Sequence, residues 1–287
     1  CKFCYAEALA TRYDKKSKLW RGDRRRTKDW SGPRRWNKRA KARGIRERVF
    51  TNSMADFFED HPSLGPWRSE AWDLIRECDC FDWQILTKRP ENIRAMLPAD
   101  WGDGWPNVWL GTSCENQEYA DKRIPHLIEV PAVVRFLSLE PLLGPIDLTS
   151  PAIQKAFGVT GIMVVDTGTG YFESDCIDWV IIGGESGEGA RPCQVEWVRD
   201  IVKLCKEAGL PVFVKQLGAV ALVKAARLRH FEWRSENRDQ EFQHWQDDRS
   251  GLWRVCLNDK KGGNMLEWPE DLRIRQFPAD ASFTPAA

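Results

Sequence analysis

The sequence predicts an α/β fold of the (β/α) barrel type, complete or partial, N-terminally truncated, with an insert and an irregular C-terminal tail. Three observations predict it. Six apolar runs recur along the chain, helical segments lie between most of them, and a length of 287 residues suits one barrel of about 250 residues. Strand–helix alternation repeated this often means a parallel sheet. An open doubly wound sheet is the alternative.

Residues 5–13 (YAEALATRY) read as a short helix. Residues 14–48 are broken by Gly22, Gly32, Pro33 and Gly44 and read as a long loop with little regular structure, so the basic stretch 12–48 is expected to be largely irregular and exposed, beside the barrel mouth. The strand candidates are 49–54 (VFTNSM), 81–89 (FDWQILTKR), 107–113 (NVWLGTS), 132–140 (AVVRFLSLE), 178–185 (DWVIIGGE) and 211–218 (PVFVKQLG). Several are continuously apolar, as strands covered on both faces should be. Trp67, Ala71, Leu74, Ile75 and Cys78 recur at helical spacing. Val195, Val198, Ile201, Val202 and Cys205 do the same, with Gly209 as a helix stop. Pro90 suits the first turn of a helix over 90–97, and 116–129 is helical but interrupted by Pro125. Residues 146–176 are a Gly-rich insert, expected as a small hairpin over the barrel mouth. A helix is expected over 220–229, followed by polar loops. The domain reading is a barrel over 1–218, including the basic loop and the insert, and an extension over 219–287 packed on it.

Charge is unevenly spread. The net charge is +1, yet residues 12–48 hold 17 Lys or Arg against four Asp or Glu, which leaves that stretch near +13 and the remainder near −12. Such a block attracts phosphates, and Trp20, Trp30 and Trp36 within it suit base stacking. The same block would also serve as a solvated loop that neutralises the acidic remainder. The nine cysteines are odd in number, which argues against a disulfide framework and for a reducing cytoplasm. No apolar run is long enough to span a membrane, and no signal peptide is visible. The chain opens on Cys1 rather than Met and is expected to be a fragment.

In parallel barrels the chemistry gathers at the C-terminal strand ends. Those ends are polar here. They carry Asn52, Ser53 and Asp56; Thr87, Lys88 and Arg89; Ser113, Glu115 and Asn116; Ser138 and Glu140; Gly183, Gly184, Glu185 and Ser186; Lys215 and Gln216. Lys88, Glu140 and Lys215 are the candidate catalytic groups. Asn52, Ser53, Asp56, Glu115, Gly183, Gly184, Glu185 and Ser186 are candidates for holding a cofactor. Glu140 and Glu185 sit among apolar and glycine residues and need partners, because an unpaired buried charge is costly. An amine, a ribose hydroxyl or a basic side chain would each serve. The bland reading is that strand ends are where solvent begins. Cys1-Lys-Phe-Cys4 is a two-residue-spaced pair that suits half a zinc site, a thiol redox pair or part of an iron–sulfur site.

The stretches CKFCYAEALATR (1–12), VFTNSMADFFEDHP (49–62), WQILTKRPENI (83–93), NVWLGTSCENQEYADKRIPHL (107–127), VRFLSLEPLLGPIDL (134–148), DWVIIGGESGEGARP (178–192), PVFVKQLG (211–218) and KGGNMLEWPEDLRIRQFP (261–278) carry a resemblance. The chain resembles the phage-protein family named for gene products thirty-seven and sixty-eight, a family of unknown function with a three-cysteine motif. That family in turn looks like radical S-adenosylmethionine enzymes. The resemblance implies a [4Fe–4S] cluster held by three cysteines, with S-adenosylmethionine on its open iron. Cys1 and Cys4 would be the second and third ligands, the first lying upstream. Phe3 matches the aromatic residue that precedes the last cysteine, and Tyr5 follows it; both are assigned to the cofactor side. Cys114 and Cys193 stand where relatives are expected to have Val and Met, so neither is read as a nucleophile. The implied function is a cytoplasmic, bacterial or phage-encoded radical enzyme acting on nucleic acid or a modified nucleotide through residues 12–48. The alternative is a non-catalytic nucleic-acid-binding protein with a structural metal.

Overall fold

The computed structural model describes residues 6–7, 24–27, 29–157, 165–166, 172–173, 177–224, 244–247, 251–255 and 257–278. Cys1, Phe3, Cys4 and Tyr5 lie outside them, as do most of the expected helix 5–13, much of the basic stretch and much of the insert. The chain divides into two compact units, Cys1–Gly111 with Val130–Val133, and Thr112–Glu129 with Val134–Ala287.

The first unit contains α1 (Ser31–Ala42), β1 (Glu47–Thr51), α2 (Leu64–Glu77), β2 (Phe81–Thr87), a 3-10 turn (Pro90–Asn92) leading into α3 (Ile93–Met96), and most of β3 (Val108–Ser113). β1 runs parallel to β2, with Val49 opposite Trp83. Its core is strongly aromatic: Trp72 meets Phe57, Trp101 and Trp105 at centroid distances of 4.8, 5.7 and 5.6 Å. Each indole N–H that this packing buries has an acceptor. Trp72 donates to the Met96 carbonyl, Trp101 to that of Pro131 and Trp105 to that of Asp100, which keeps the burial from leaving an orphaned donor.

The second unit contains α4 (Gln117–Ile128), β4 (Val134–Leu139), α5 (Pro151–Phe157), the antiparallel pair β5 (Val165–Asp166) and β6 (Phe172–Glu173), β7 (Trp179–Gly183), β8 (Cys193–Gln194), α6 (Val195–Glu207), β9 (Val212–Gln216), β10 (Ala221–Val223), β11 (His244–Asp247) and β12 (Leu252–Val255). β7 is parallel to both β4 and β9. α6 buries Val195, Val198, Ile201, Val202 and Cys205, one apolar stripe at helical spacing.

The main sheet has six strands in the order β1-β2-β3-β4-β7-β9. All six expected apolar runs supply one strand each, and the result is an α/β fold consistent with a partial (β/α) barrel. The outer edge of β9 is taken by the tail. Val214 N–H donates to the Ile274 carbonyl and Gln276 N–H to that of Val212, both at 2.9 Å. Among the described residues no helix is long and apolar enough to cross a membrane.

Two expectations are corrected. The basic stretch is not irregular throughout, since residues 31–42 form α1. Gly32 and Pro33 look like breakers, but proline in a first turn lacks only an N–H that would have no helical partner. The Arg, Lys and Ala that follow are good helix formers, and Arg39 and Lys41 fall in the last turn, where cations oppose the helix dipole. The expected helix over 220–229 is strand at its start. Ala221–Val223 is fully buried and pairs with β12 and β8. A short apolar run does not distinguish strand from helix by periodicity.

Candidate functional site

The strand ends carry two clusters, one in each unit. In the first unit β1 ends at Thr51, and Asn52 turns the chain with φ 55, a left-handed conformation that asparagine tolerates better than most residues. The loop returns to the end of β2 through Asp56. Its carboxylate accepts from the Thr87 hydroxyl at 2.6 Å, the Lys88 N–H at 2.9 Å and the Phe58 N–H at 3.0 Å, and pairs with Arg89 at 3.2 Å. Asp56 thereby fixes the loop to β2, while Asn52 and Ser53 remain exposed. Beside it Glu59 accepts from Arg24 Nε at 2.9 Å and faces Arg89 at 3.9 Å. The Arg24 hydrogen bond, against an opposing desolvation, holds the Glu59 carboxyl below the usual carboxylate range.

In the second unit the ends of β4, β7 and β9 converge. Glu140, just past β4, accepts from Lys215 Nζ at 2.9 Å and from Gln216 Nε2 at 3.2 Å. A Cβ on Gly183 would lie 3.1 Å from the Glu140 carboxyl carbon, so the glycine makes room for that carboxylate. Gly184 is closer still to its neighbours. A Cβ there would lie 2.3 Å from the Leu217 carbonyl oxygen. The space at Gly184 is thus filled by the chain leaving β9.

Glu185 accepts from the Arg191 backbone N–H at 2.7 Å, from its Nε at 2.9 Å and from its Nη2 at 2.8 Å. This two-pronged contact is a strong carboxylate–guanidinium geometry, and it lowers the Glu185 pKa despite some desolvation. Glu115 accepts from Arg123 at 2.8 Å; the same guanidinium donates to the Ser113 carbonyl at 2.6 Å and lies 4.1 Å from the Tyr119 ring centroid. Ser186 is exposed. The partners that the carboxylates required are therefore basic side chains of the chain itself. Arg24, Arg123 and Arg191 were absent from the sequence-predicted site, and Gln216 was read only as a strand-end residue. Arg191, six residues after Glu185, was the one with a local signal.

These clusters differ in what they can do. Arg123–Glu115 is mostly buried, each side chain being 10 % exposed, and is fixed in place. Lys215 is 52 % exposed and Glu140 19 %, so this pair can exchange. A ligand ammonium could replace Lys215 on Glu140, and a ligand carboxylate or phosphate could engage Lys215. Lys88 is half-buried at the end of β2.

Four of the five described cysteines sit where burial favours the protonated thiol. Burial pushes the Cys78 thiol up to about 11 and those of Cys193 and Cys205 to about 12, and it raises Cys80 as well. Metal ligation needs the thiolate. Among the described residues no group of three or more His, Cys, Asp or Glu is placed to hold a metal ion. A cavity of about 440 Å³ in the first unit is lined by Arg68, Trp72, Arg76 and Asp100 among others and contains none of the sequence-predicted site residues.

The fold is that of an α/β protein with a six-stranded main sheet, consistent with a partial (β/α) barrel. The chain belongs to the family described as protein of unknown function (DUF5131), whose model matches residues 1–261. No curated protein and no solved structure matches it.

Proposed function

We propose that the chain is an iron–sulfur, S-adenosylmethionine-dependent radical enzyme of a reducing cytoplasm, acting on nucleic acid or a modified nucleotide, in keeping with its resemblance to the phage gene-product family. One observation carries the reading. A Cys-x-x-Cys pair, Cys1 and Cys4, stands ahead of a six-stranded sheet of the partial-barrel class whose strand ends are charged. The donor chemistry fits, because thiolates are the ligands an iron–sulfur cluster takes, while the buried Cys193 and Cys205 favour the protonated thiol.

When bound, the cluster and its cofactor would supply a carbon-centred radical that abstracts hydrogen. The chain's own residues would do the rest. Cys1 and Cys4 would hold the metal, with Phe3 and Tyr5 beside them and a third thiolate from upstream. Glu140 offers an acceptor for a ligand ammonium in place of Lys215. Glu185, held by Arg191, and Glu115, held by Arg123, form ion pairs fixed at the strand ends. Lys88 and Lys215 are the candidate proton-carrying groups.

The test is anaerobic reconstitution of the protein with its natural N-terminal sequence, followed by assays of iron, sulfide and 5′-deoxyadenosine. Iron with an absorbance shoulder near roughly 400 nm, as cluster thiolates give, and cofactor cleavage on reduction are expected. Cys4→Ala should remove most of the iron and leave the fold intact. Zinc in place of iron, or iron unchanged in Cys4→Ala, would support a non-catalytic nucleic-acid-binding protein with a structural metal.

A further inference from the structure

α1 has two faces with different tasks. Its inner face is anchored. Ala40 is 2 % exposed, and Asn37 accepts from the Cys80 N–H at 2.9 Å while donating to Asp79 at 3.3 Å. Its outer face carries Arg34, Arg35, Lys38, Arg39 and Lys41, all exposed, and α1 contains no acid. The flanking cations are partly engaged: Arg34 with Glu77 at 2.7 Å, Arg35 with Asp29 at 3.9 Å and Lys41 with Asp79 at 3.7 Å. These pairs are exposed, and such pairs contribute little and exchange readily. Lys38 and Arg39 have no ion-pair partner among the described residues, and of the two only Arg39 lies on the Trp36 side of the helix.

Trp36 supplies the second observation. It is 49 % exposed, and its ring covers the preceding turn, where a Cβ on Gly32 would lie 3.5 Å from the indole edge. Trp36 stands in line with the buried Gly32 and Ala40, at the edge of the outer face where Arg39, three residues on, and Arg35 are its neighbours, so its exposed π-face borders positive charge. We infer that the edge of α1 formed by Trp36, Arg39 and Arg35 binds single-stranded nucleic acid, with Trp36 as the stacking platform for a base and Arg39 and Arg35 as contacts to the flanking phosphates. This deepens the proposed function, resting on it only for the use to which the bound strand is put. A stacking indole requires an unpaired base, which favours a single strand over a duplex. A membrane surface fits less well, because an interfacial helix needs an apolar stripe and α1 exposes one large apolar residue.

The probe is a fluorescein-labelled oligothymidine of about 15 nucleotides, near the upper site size of a single-strand-binding fold, followed by anisotropy over a salt series, with its duplex and phosphatidylserine-containing vesicles as competitors. The native protein should bind the single strand more tightly than the duplex. Arg35→Ala/Arg39→Ala should weaken binding about tenfold. It should also flatten the slope of log K against log salt by about 1.4, as two lost phosphate contacts at about 0.7 each require. Trp36→Ala should weaken binding by a similar factor, about tenfold as expected for one stacked base, and leave the slope unchanged. Arg35 and Arg39 are exposed and Ala favours helix, so that variant's melting curve should not move; Trp36→Ala also loses the packing on Gly32 and should still be fully folded, by circular dichroism, at the temperature of the binding assay. Absence of oligonucleotide binding, equal binding by the variants, a preference for duplex, or vesicles displacing the strand would overturn the inference. Iron content in the same variants keeps the two questions apart. It should be unchanged in them, whatever the binding assay shows, because none of them changes a proposed cluster ligand, and its absence from the native protein would leave the binding result standing.

Discussion

A methyl group added to Gly184 would meet the Leu217 carbonyl oxygen at 2.3 Å and the Gly218 Cα at 2.9 Å. Both are backbone atoms and cannot rotate aside. Gly184→Ala should therefore cost about 3 kcal/mol or more, at or beyond the upper end of overpacking penalties. Gly65 is the contrast. It lies in the first turn of α2, where an added Cβ would meet nothing within 4 Å and φ is not positive. Gly65→Ala should stabilise by about 0.4–1 kcal/mol, mainly by restricting the unfolded chain. Urea unfolding of both variants checks the pair. Carboxylates divide in a similar way. Arg191 lowers the Glu185 pKa, so the unfolded chain holds that proton to higher pH. The resulting stability is present above the ordinary value of 4.5 and is lost as pH falls through the folded pKa. Burial raises the Asp178 pKa above 3.8, against a hydrogen bond from the Arg135 N–H. Here the folded chain keeps the proton longer, and stability declines as pH rises from 3.8 through the folded value. Glu185→Gln should thus lower the melting temperature at about pH 7, and its deficit should shrink in acid. Asp178→Asn, which keeps an acceptor for Arg135, should raise the melting temperature at about pH 7 and lose that advantage in acid. Parallel slopes of melting temperature against pH for the two variants would contradict this assignment.

At the level of elements, the loop from β1 to α2 is tied to β2 by one side chain. Asp56 takes the Thr87 hydroxyl and the Lys88 and Phe58 N–H groups. Asp56→Ala would leave three donors to find water, at a cost of about 2–4 kcal/mol by the usual worth of bonds to a charged group. Asp56→Asn, with one acceptor oxygen left, should cost less. Hydrogen exchange at Lys88 should quicken in Asp56→Ala, and an unchanged rate would mean the loop is held by other contacts. Asp56 itself was legible as a polar residue just past an apolar run, but its role as a clamp was not. The strands were legible for a plain reason: β2, β3 and β4 are buried along almost their whole length, so apolar residues dominate each run even where Asp82, Gln84, Arg135 and Ser138 interrupt it. α1 was not, because its inner face is made of Gly32, Asn37 and Ala40 and shows no apolar period. The carboxylates at the strand ends could be found from their neighbours in sequence. Most of their basic partners could not, since Arg24 is 35 residues from Glu59 and Lys215 is 75 from Glu140.

At the scale of the whole molecule, the open sheet must be stopped at its edges, because an unpaired strand edge is a template for association. At β9 the stop is the chain's own tail. Phe213 bridges Arg275 in antiparallel fashion, Val214 and Val212 exchange hydrogen bonds with Ile274 and Gln276, and Trp179 donates its indole N–H to the Gln276 carbonyl at 2.9 Å. Phe277 then closes an aromatic cluster, 5.2 Å from the Trp179 ring and 5.3 Å from that of Phe213. Two kinds of contact act here, and two variants separate them. Phe277→Ala keeps the backbone pairing and removes one ring that is 40 % exposed. It should cost about 1 kcal/mol, within the range for an aromatic pair beyond its burial, and leave the protein monodisperse. Ending the chain after Asp271 removes the pairing as well, exposing the β9 edge together with Phe213. That variant should melt at lower temperature and self-associate with a concentration dependence visible in light scattering. If the shortened chain stays monodisperse and melts with Phe277→Ala, the edge is stopped by side-chain cover and the backbone pairing of residues 274–276 contributes little.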